Sequence, residues 1–281
     1  MIKKIKNFTV NYLVPILILV IPFSLPLFKL DFDVNIILTI VALLFTILAG
    51  FFIAAATSNY LRLQTLIADL NGGMISIFNI VKLISPNSIG RVTDAIDEYV
   101  ISTLDYDLLD FAGDTMKDFE NVVSVIDEVR PENSNVESLL QNLHSEKTRL
   151  YSNHQEMAMV AKTIVSPRHW TILILLASLI AILILALRNG QVISSLVAVA
   201  LIYTTYQILK LLQEIDNNLF LGKKLAFEDP QHVFRVIGRL PYYPQYAIES
   251  NQVKIQEKTY RVGTYVNVSG SRDKRIEIIG Q

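Results

Sequence analysis

From residue 34 to residue 58 the chain carries no Lys, Arg, Asp or Glu. A helix of that length, rising about 1.5 Å per residue, crosses a hydrocarbon core of roughly 30 Å. Beyond it the apolar character fades into residues 59–64, headed by Arg62, while the helical pattern continues. The spacing predicts one helix that begins in lipid and runs on into a water-facing domain. Only 18% of residues are charged and 52% are hydrophobic, where a soluble domain carries about 25% charged residues. The apolar excess falls in four blocks, so the chain reads as an integral membrane protein. A net charge of −1 argues against a nucleic-acid role. Having no cysteine, the chain can form neither disulfides, thiolate nucleophiles, Cys-based zinc sites nor cysteine lipid anchors.

The fold class expected is an all-α integral membrane protein. It has four transmembrane helices in two hairpins, a cytoplasmic helical bundle between the hairpins, and a short C-terminal β-patterned tail. The first hairpin is residues 1–58, with spans at 12–28 and 34–58. Its first span holds Pro15, Pro22 and Pro26, each without a backbone donor, so freed carbonyls need neighbouring helices or water. Lys29 closes that run, and residues 29–33 make a tight connection. The second hairpin is residues 167–213, with spans at 171–187 and 192–212 joined by the turn Arg188-Asn189-Gly190. Pro167 suits a helix start, and Arg168 and Trp170 suit the headgroup level.

The helical domain is residues 59–166. Asn71-Gly72-Gly73 predicts a bend or a close helix contact. A helix capped by Asn87 or Ser88 carries Val92, Ile96, Tyr99, Val100 and Leu104 on one face, with Asp94, Asp97 and Glu98 elsewhere. Another runs over 114–129 on Met116, Phe119, Val122, Val123 and Ile126. A third, capped by Ser134 or Asn135, runs to Val165, with Val136, Leu143, Leu150, Met157 and Ile164 in a seven-residue seam. Lys147 and His154 lie beside that seam. A post-membrane segment, residues 214–244, holds a short helix over 228–240 with Pro230 near its first turn, ended by Tyr242-Tyr243-Pro244. In the tail, residues 245–281, a period of two at Val253 and Ile255, at Tyr260 to Val268, and at Ile276 and Ile278 suggests three strands, the last preceded by a turn at 269–274. Lys3, Lys4, Lys6, Arg62, Lys82, Arg91, Arg168, Lys210, Lys223 and Lys224 fall on one side, against Lys29 and Arg188 on the other. That asymmetry predicts a multi-pass protein of the inner (plasma) membrane with both termini cytoplasmic.

The order of these parts resembles the bestrophin-like bacterial membrane proteins, and more distantly the bestrophin anion channels. Leu48-Ala49-Gly50-Phe51 followed by Arg62 resembles the Leu-Gly-Phe and downstream Arg of the second span. Glu98-Tyr99 with the acidic stretch 104–110 resembles the middle helix. Pro167 with Trp170 resembles the Pro-x-x-x-Trp start of the third span. The run from Asp216 to Gly222 resembles the segment after the fourth. The match covers about residues 10–240 and leaves the tail outside. The resemblance implies a homo-oligomer, a pentamer in bestrophins, with the second span lining a central pore and anions as permeant ions. It places the hydrophobic neck on Leu43, Ile47 and Phe51, where an apolar ring can gate by dewetting. The same four-residue spacing suits any packed membrane helix. Lys223-Lys224 stands where the channels carry an acidic calcium clasp, so calcium gating is not expected.

No cofactor is expected. Asp105, Asp107, Asp110 and Asp114 lack the spacing of a calcium loop and read as a solvated helix end. His144 and His154 have no carboxylate pairing that would mark a metal. No phosphate-cradling, dinucleotide or nucleophile-elbow motif is present, so no enzyme is expected. The four spans hold no ionisable residue of the kind proton-coupled transport uses. Two readings remain: a passive anion channel, or a membrane-anchored scaffold or sensor whose helical domain and tail bind a cytoplasmic partner.

Overall fold

The computed structural model describes residues 13–27, 32–105, 115–131, 137–162, 164–216, 222–250, 253–268 and 271–280. Lys3, Lys4, Lys6, Lys29, Asp107, Asp110, Asp114, Ser134, Asn135, Val136 and the stretch 217–221 lie outside the described residues. The order is α1 (Val14–Ser24), α2 (Val34–Ile84), a 3₁₀ turn (Pro86–Ser88), α3 (Ile89–Asp105), α4 (Met116–Asp127), α5 (Glu137–Val160), α6 (Pro167–Ala186), α7 (Val192–Asp216), α8 (Gly222–Val236), β1 (Tyr242–Pro244), α9 (Gln245–Glu249), β2 (Thr259–Val268) and β3 (Ser271–Gly280). The chain divides into two units, Met1–Ser58 with Thr163–Asn217 and Asn59–Lys162 with Asn218–Gln281, and the dividing line falls inside α2.

In the first unit α1 and α6 each pack on α7. Among the described residues, α2, α6 and α7 are long and apolar enough to cross a membrane. Both ends of the expected first span, residues 12 and 28, lie outside the described residues; among the described residues α1 has 11 residues and spans about 16 Å. Pro22 sits inside it, and Leu25 turns extended before Pro26, because a residue preceding proline avoids the helical region. Arg188 is buried and turns back onto α1. Gly190, at φ +83°, closes the turn to α7.

α2 runs 51 residues without a break. Asn71-Gly72-Gly73 does not interrupt it. Instead a Cβ at Gly73 would lie 2.6 Å from Leu150 Cδ2, so this glycine admits α5 at close range. α3, α4 and α5 bury the faces their periodicity predicts: Val92, Ile96, Tyr99, Val100 and Leu104, then Phe119, Val122 and Ile126, then Leu143, Leu150 and Met157. These join Leu63, Leu66, Met74, Ile77 and Val81 of α2 and Val233 and Phe234 of α8 in one core.

Several boundaries differ from expectation. α5 stops at Val160, so Ile164 is exposed rather than in the seam; the Asn59 side chain takes the Val160 carbonyl at 2.6 Å. α8 starts at Gly222 and holds Pro230 in its interior. It ends through Gly238 at φ +74°, with Arg239 N donating to Phe234 O at 2.8 Å, a left-handed helix stop. Tyr242-Tyr243-Pro244 is itself a strand, parallel to β2 in the register Tyr242 to Arg261. Val253 and Ile255 form no strand, and Ser271 to Lys274 belong to β3 rather than to a turn. The sheet order is β1-β2-β3.

Candidate functional site

The residues expected to line a pore lie where α2 has no cover. Val41, Phe45, Ala49, Phe52 and Ala56 form the buried stripe of its first half. At 100° per residue, Leu43, Ile47 and Phe51 fall on the opposite side. They are 59%, 59% and 66% exposed. Gly50 lies in the same stripe, with nothing within 4 Å of where a Cβ would stand. Phe51 meets Phe52 edge-on at 5.5 Å, and Phe52 packs on the His169 ring at 4.9 Å.

Three other expected residues meet at the start of α6. The buried carboxylate of Asp216 accepts from Ile164 N at 2.8 Å and Val165 N at 3.0 Å. The chain then reaches Ser166, whose hydroxyl caps α6 by accepting from His169 N at 3.4 Å. Pro167 takes the first helical position, where its missing N–H costs nothing. Trp170 closes the first turn onto Ser166 O at 3.1 Å. Asp216 thus fixes the backbone that feeds the helix. Gly222 opens α8.

In the second unit Arg62 makes a two-pronged ion pair with Glu156, at 2.7 and 2.8 Å. Tyr99 is buried in the core, 5.5 Å from the Phe119 ring and 6.0 Å from His154. Its hydroxyl has no hydrogen-bond partner among the described residues, and burial pushes its pKa well up, so the phenol stays neutral.

The sequence reading placed other polar residues wrongly. Asp105 is not a solvated helix end. Its side chain is fully enclosed, accepting from the Tyr242 hydroxyl at 2.6 Å and pairing with Lys274. Arg261 grips Asp97 with two bonds of 2.7 Å and lies over the Phe234 ring at 5.0 Å. Arg239 pairs with Asp94. The acidic side of α3 is thus the seat of β1, β2 and β3, a pairing that a charge count along α3 hints at without naming the partners. His154, expected beside the seam of α5, is buried there: it stacks on Phe119 at 4.2 Å with Nε2 3.3 Å from the Thr115 hydroxyl. Burial lowers its pKa to about 4. His144 is exposed, and no metal-holding cluster occurs among the described residues.

Among curated proteins none matches the chain. A crystal structure of a bacterial bestrophin homolog from Klebsiella pneumoniae matches with a TM-score of 0.60 at 14% identity, over 82% of this chain and 98% of that one. A point variant of that homolog gives 0.61 at 14% identity, over 84% and 98%. A crystal structure described only as that of a membrane protein with a proline-to-alanine substitution gives 0.63 at 14% identity, over 83% and 100%. At that identity the likeness shows a shared fold. The model of the Bestrophin-like domain matches residues 33–211, more than half of the sequence, and the chain therefore belongs to the Bestrophin-like domain family.

Proposed function

We propose that the protein is a homo-oligomeric, passive anion channel whose pore is lined by the exposed face of α2. One observation carries the reading. Leu43, Ile47 and Phe51 occupy the side of α2 that the chain's own helices leave uncovered. An apolar stripe of one residue per turn, repeated around a symmetry axis, makes a constriction that gates by dewetting. Five copies are the number the family resemblance suggests. In this reading residues 1–58 and 167–213 are the membrane part. Residues 59–166, the segment 214–244 and the tail 245–281 are cytoplasmic, and the protein sits in the inner (plasma) membrane with both termini inside. The excess of basic residues on one side of the spans supports that orientation.

Planar-bilayer recording on the purified protein tests the proposal. Anion-selective current that rises in Phe51→Ala is the expected result. Silence in both wild type and Phe51→Ala, together with a monomeric mass in detergent, overturns it and leaves the membrane-anchored scaffold.

A further inference from the structure

The sheet ends in an uncovered strand. β3 pairs with β2 along its whole length in one continuous register. Among the described residues nothing pairs with its other edge. Ile276, Ile278 and Ile279 are 44%, 67% and 38% exposed. Proteins protect such an edge with a bulge, a proline, a short strand or charged side chains. β3 is ten residues long, contains no proline, and its register shows no bulge, so its charges, Lys274, Arg275 and Glu277, are what selects a partner. An edge of this kind is a template for another strand.

For a second copy of β3, charge and symmetry together fix the register. A two-fold axis perpendicular to an antiparallel pair must pass through two copies of the same residue. Hydrogen-bonded and non-hydrogen-bonded pairs alternate, and an axis placed half a step away would require one pair to be both. The axis can therefore centre only on a residue of β3. Centred on Lys274, Arg275 or Glu277, it sets like charges face to face, which destabilises a cross-strand pair. Centred on Ile278, it leaves Glu277 opposite Ile279. Centred on Ile276, it sets Arg275 opposite Glu277 twice, Ile276 against itself, and Lys274, already held by Asp105, opposite Ile278, and of these registers it alone pairs opposite charges without setting like charges face to face. Within one chain the Arg275 and Glu277 side chains already share a face, 3.2 Å apart, and are 75% and 55% exposed. Both are thus free to meet a second pair.

We infer that β3 pairs antiparallel with β3 of a second copy of this chain, across a two-fold axis through Ile276. The contact does not depend on whether α2 lines a pore. Where copies already form a ring with an odd number of members, this axis joins two rings.

Because the chain has no cysteine, one introduced thiol reports the contact without background. Ile276→Cys in the full-length protein in detergent, treated with copper-phenanthroline, is expected to give a disulfide-linked dimer on a non-reducing gel. In the same register two copies of residue 277 lie two rises apart along the strands, about 8 Å between Cα atoms and beyond disulfide reach. Glu277→Cys is therefore expected to give at least about ten-fold less dimer. In the Ile276→Cys background, Glu277→Arg is expected to lower the yield, and adding Arg275→Glu to restore it. Unchanged elution on gel filtration shows that each variant is folded. No dimer from Ile276→Cys, equal dimer from residues 276 and 277, or no restoration by the charge exchange assigns the edge to another occupant and overturns the inference.

Discussion

The guanidinium of Arg188 donates to the main-chain oxygen of Pro22, an acceptor that Pro26 cannot serve because it has no N–H. The same group reaches Leu25 O at 3.2 Å, and its Nε bonds Leu185 O at 3.1 Å. A cation thus sits at the C-terminal end of α1, where the helix dipole favours it. Replacing Arg188 by Ala leaves buried carbonyls unpaired, at a cost of about 2 kcal/mol. Lys, one point charge in place of a fork, is expected to recover part of that. Thermal unfolding in detergent, followed through Trp170, the chain's one tryptophan, measures both variants.

The two faces of α2 should separate stability from conduction. Phe45→Ala removes a side chain that is 4% exposed and is expected to destabilise by about 2 kcal/mol through lost packing. Phe51→Ala, 66% exposed in the protomer, is expected to leave protomer unfolding within about 0.5 kcal/mol of wild type while changing current. Denaturation of the two variants side by side, with recordings on the second, checks this.

Acid should loosen the core around His154. Its pKa is lowered from 6.5 to about 4 by burial. The unfolded chain therefore binds a proton below pH 6.5 that the folded chain refuses until about pH 4. Stability is unaffected above pH 6.5, falls as pH drops towards 4, and levels off below, for a loss of order 3 kcal/mol. His154→Phe is expected to flatten that window. Hydrogen exchange of α5 amides between pH 7 and pH 4 reports it.

Two substitutions test how the hairpin β2–β3 is held, and a third, in α2, serves as their control. The Arg261–Asp97 pair is largely enclosed, with side chains 12% and 14% exposed. Arg261→Lys loses the second prong and its place over Phe234, and should cost about 1–3 kcal/mol. Gly263→Ala would put a Cβ 2.6 Å from Cζ of Tyr242, a ring that is fully buried and tied to Asp105. It cannot move aside, so a cost of about 1–3 kcal/mol follows. Gly72→Ala, where a Cβ meets nothing within 4 Å, is expected to stabilise by about 0.5–1 kcal/mol. Limited proteolysis within residues 250–258 should accelerate in the first two and slow or stay level in the third.

What the sequence made legible was periodic. The uncharged run at 34–58 and the apolar faces of α3, α4 and α5 follow from one repeat per turn, and the structure buries those faces. The exposed position of Leu43, Ile47 and Phe51 was legible as a stripe, but not as the uncovered one, because both sides of α2 are apolar there. Partners far along the chain left no local trace. Three prolines announced carbonyls in need of donors, yet nothing near them pointed to Arg188. Asp105 looked solvated because Tyr242 and Lys274, which enclose it, come 137 and 169 residues later. Tyr242 to Pro244 was missed as a strand because three residues set no period, and their pairing is parallel.

That last separation has a consequence for biosynthesis. At about 5–20 residues per second a ribosome needs on the order of ten seconds or more to travel from Asp105 to Lys274. Throughout that interval the newborn α3 holds Asp97 and Asp105 without the cations that later neutralise them. The apolar helices, all encoded before β2, are made first, so α3 gains its seat against the sheet only after they exist.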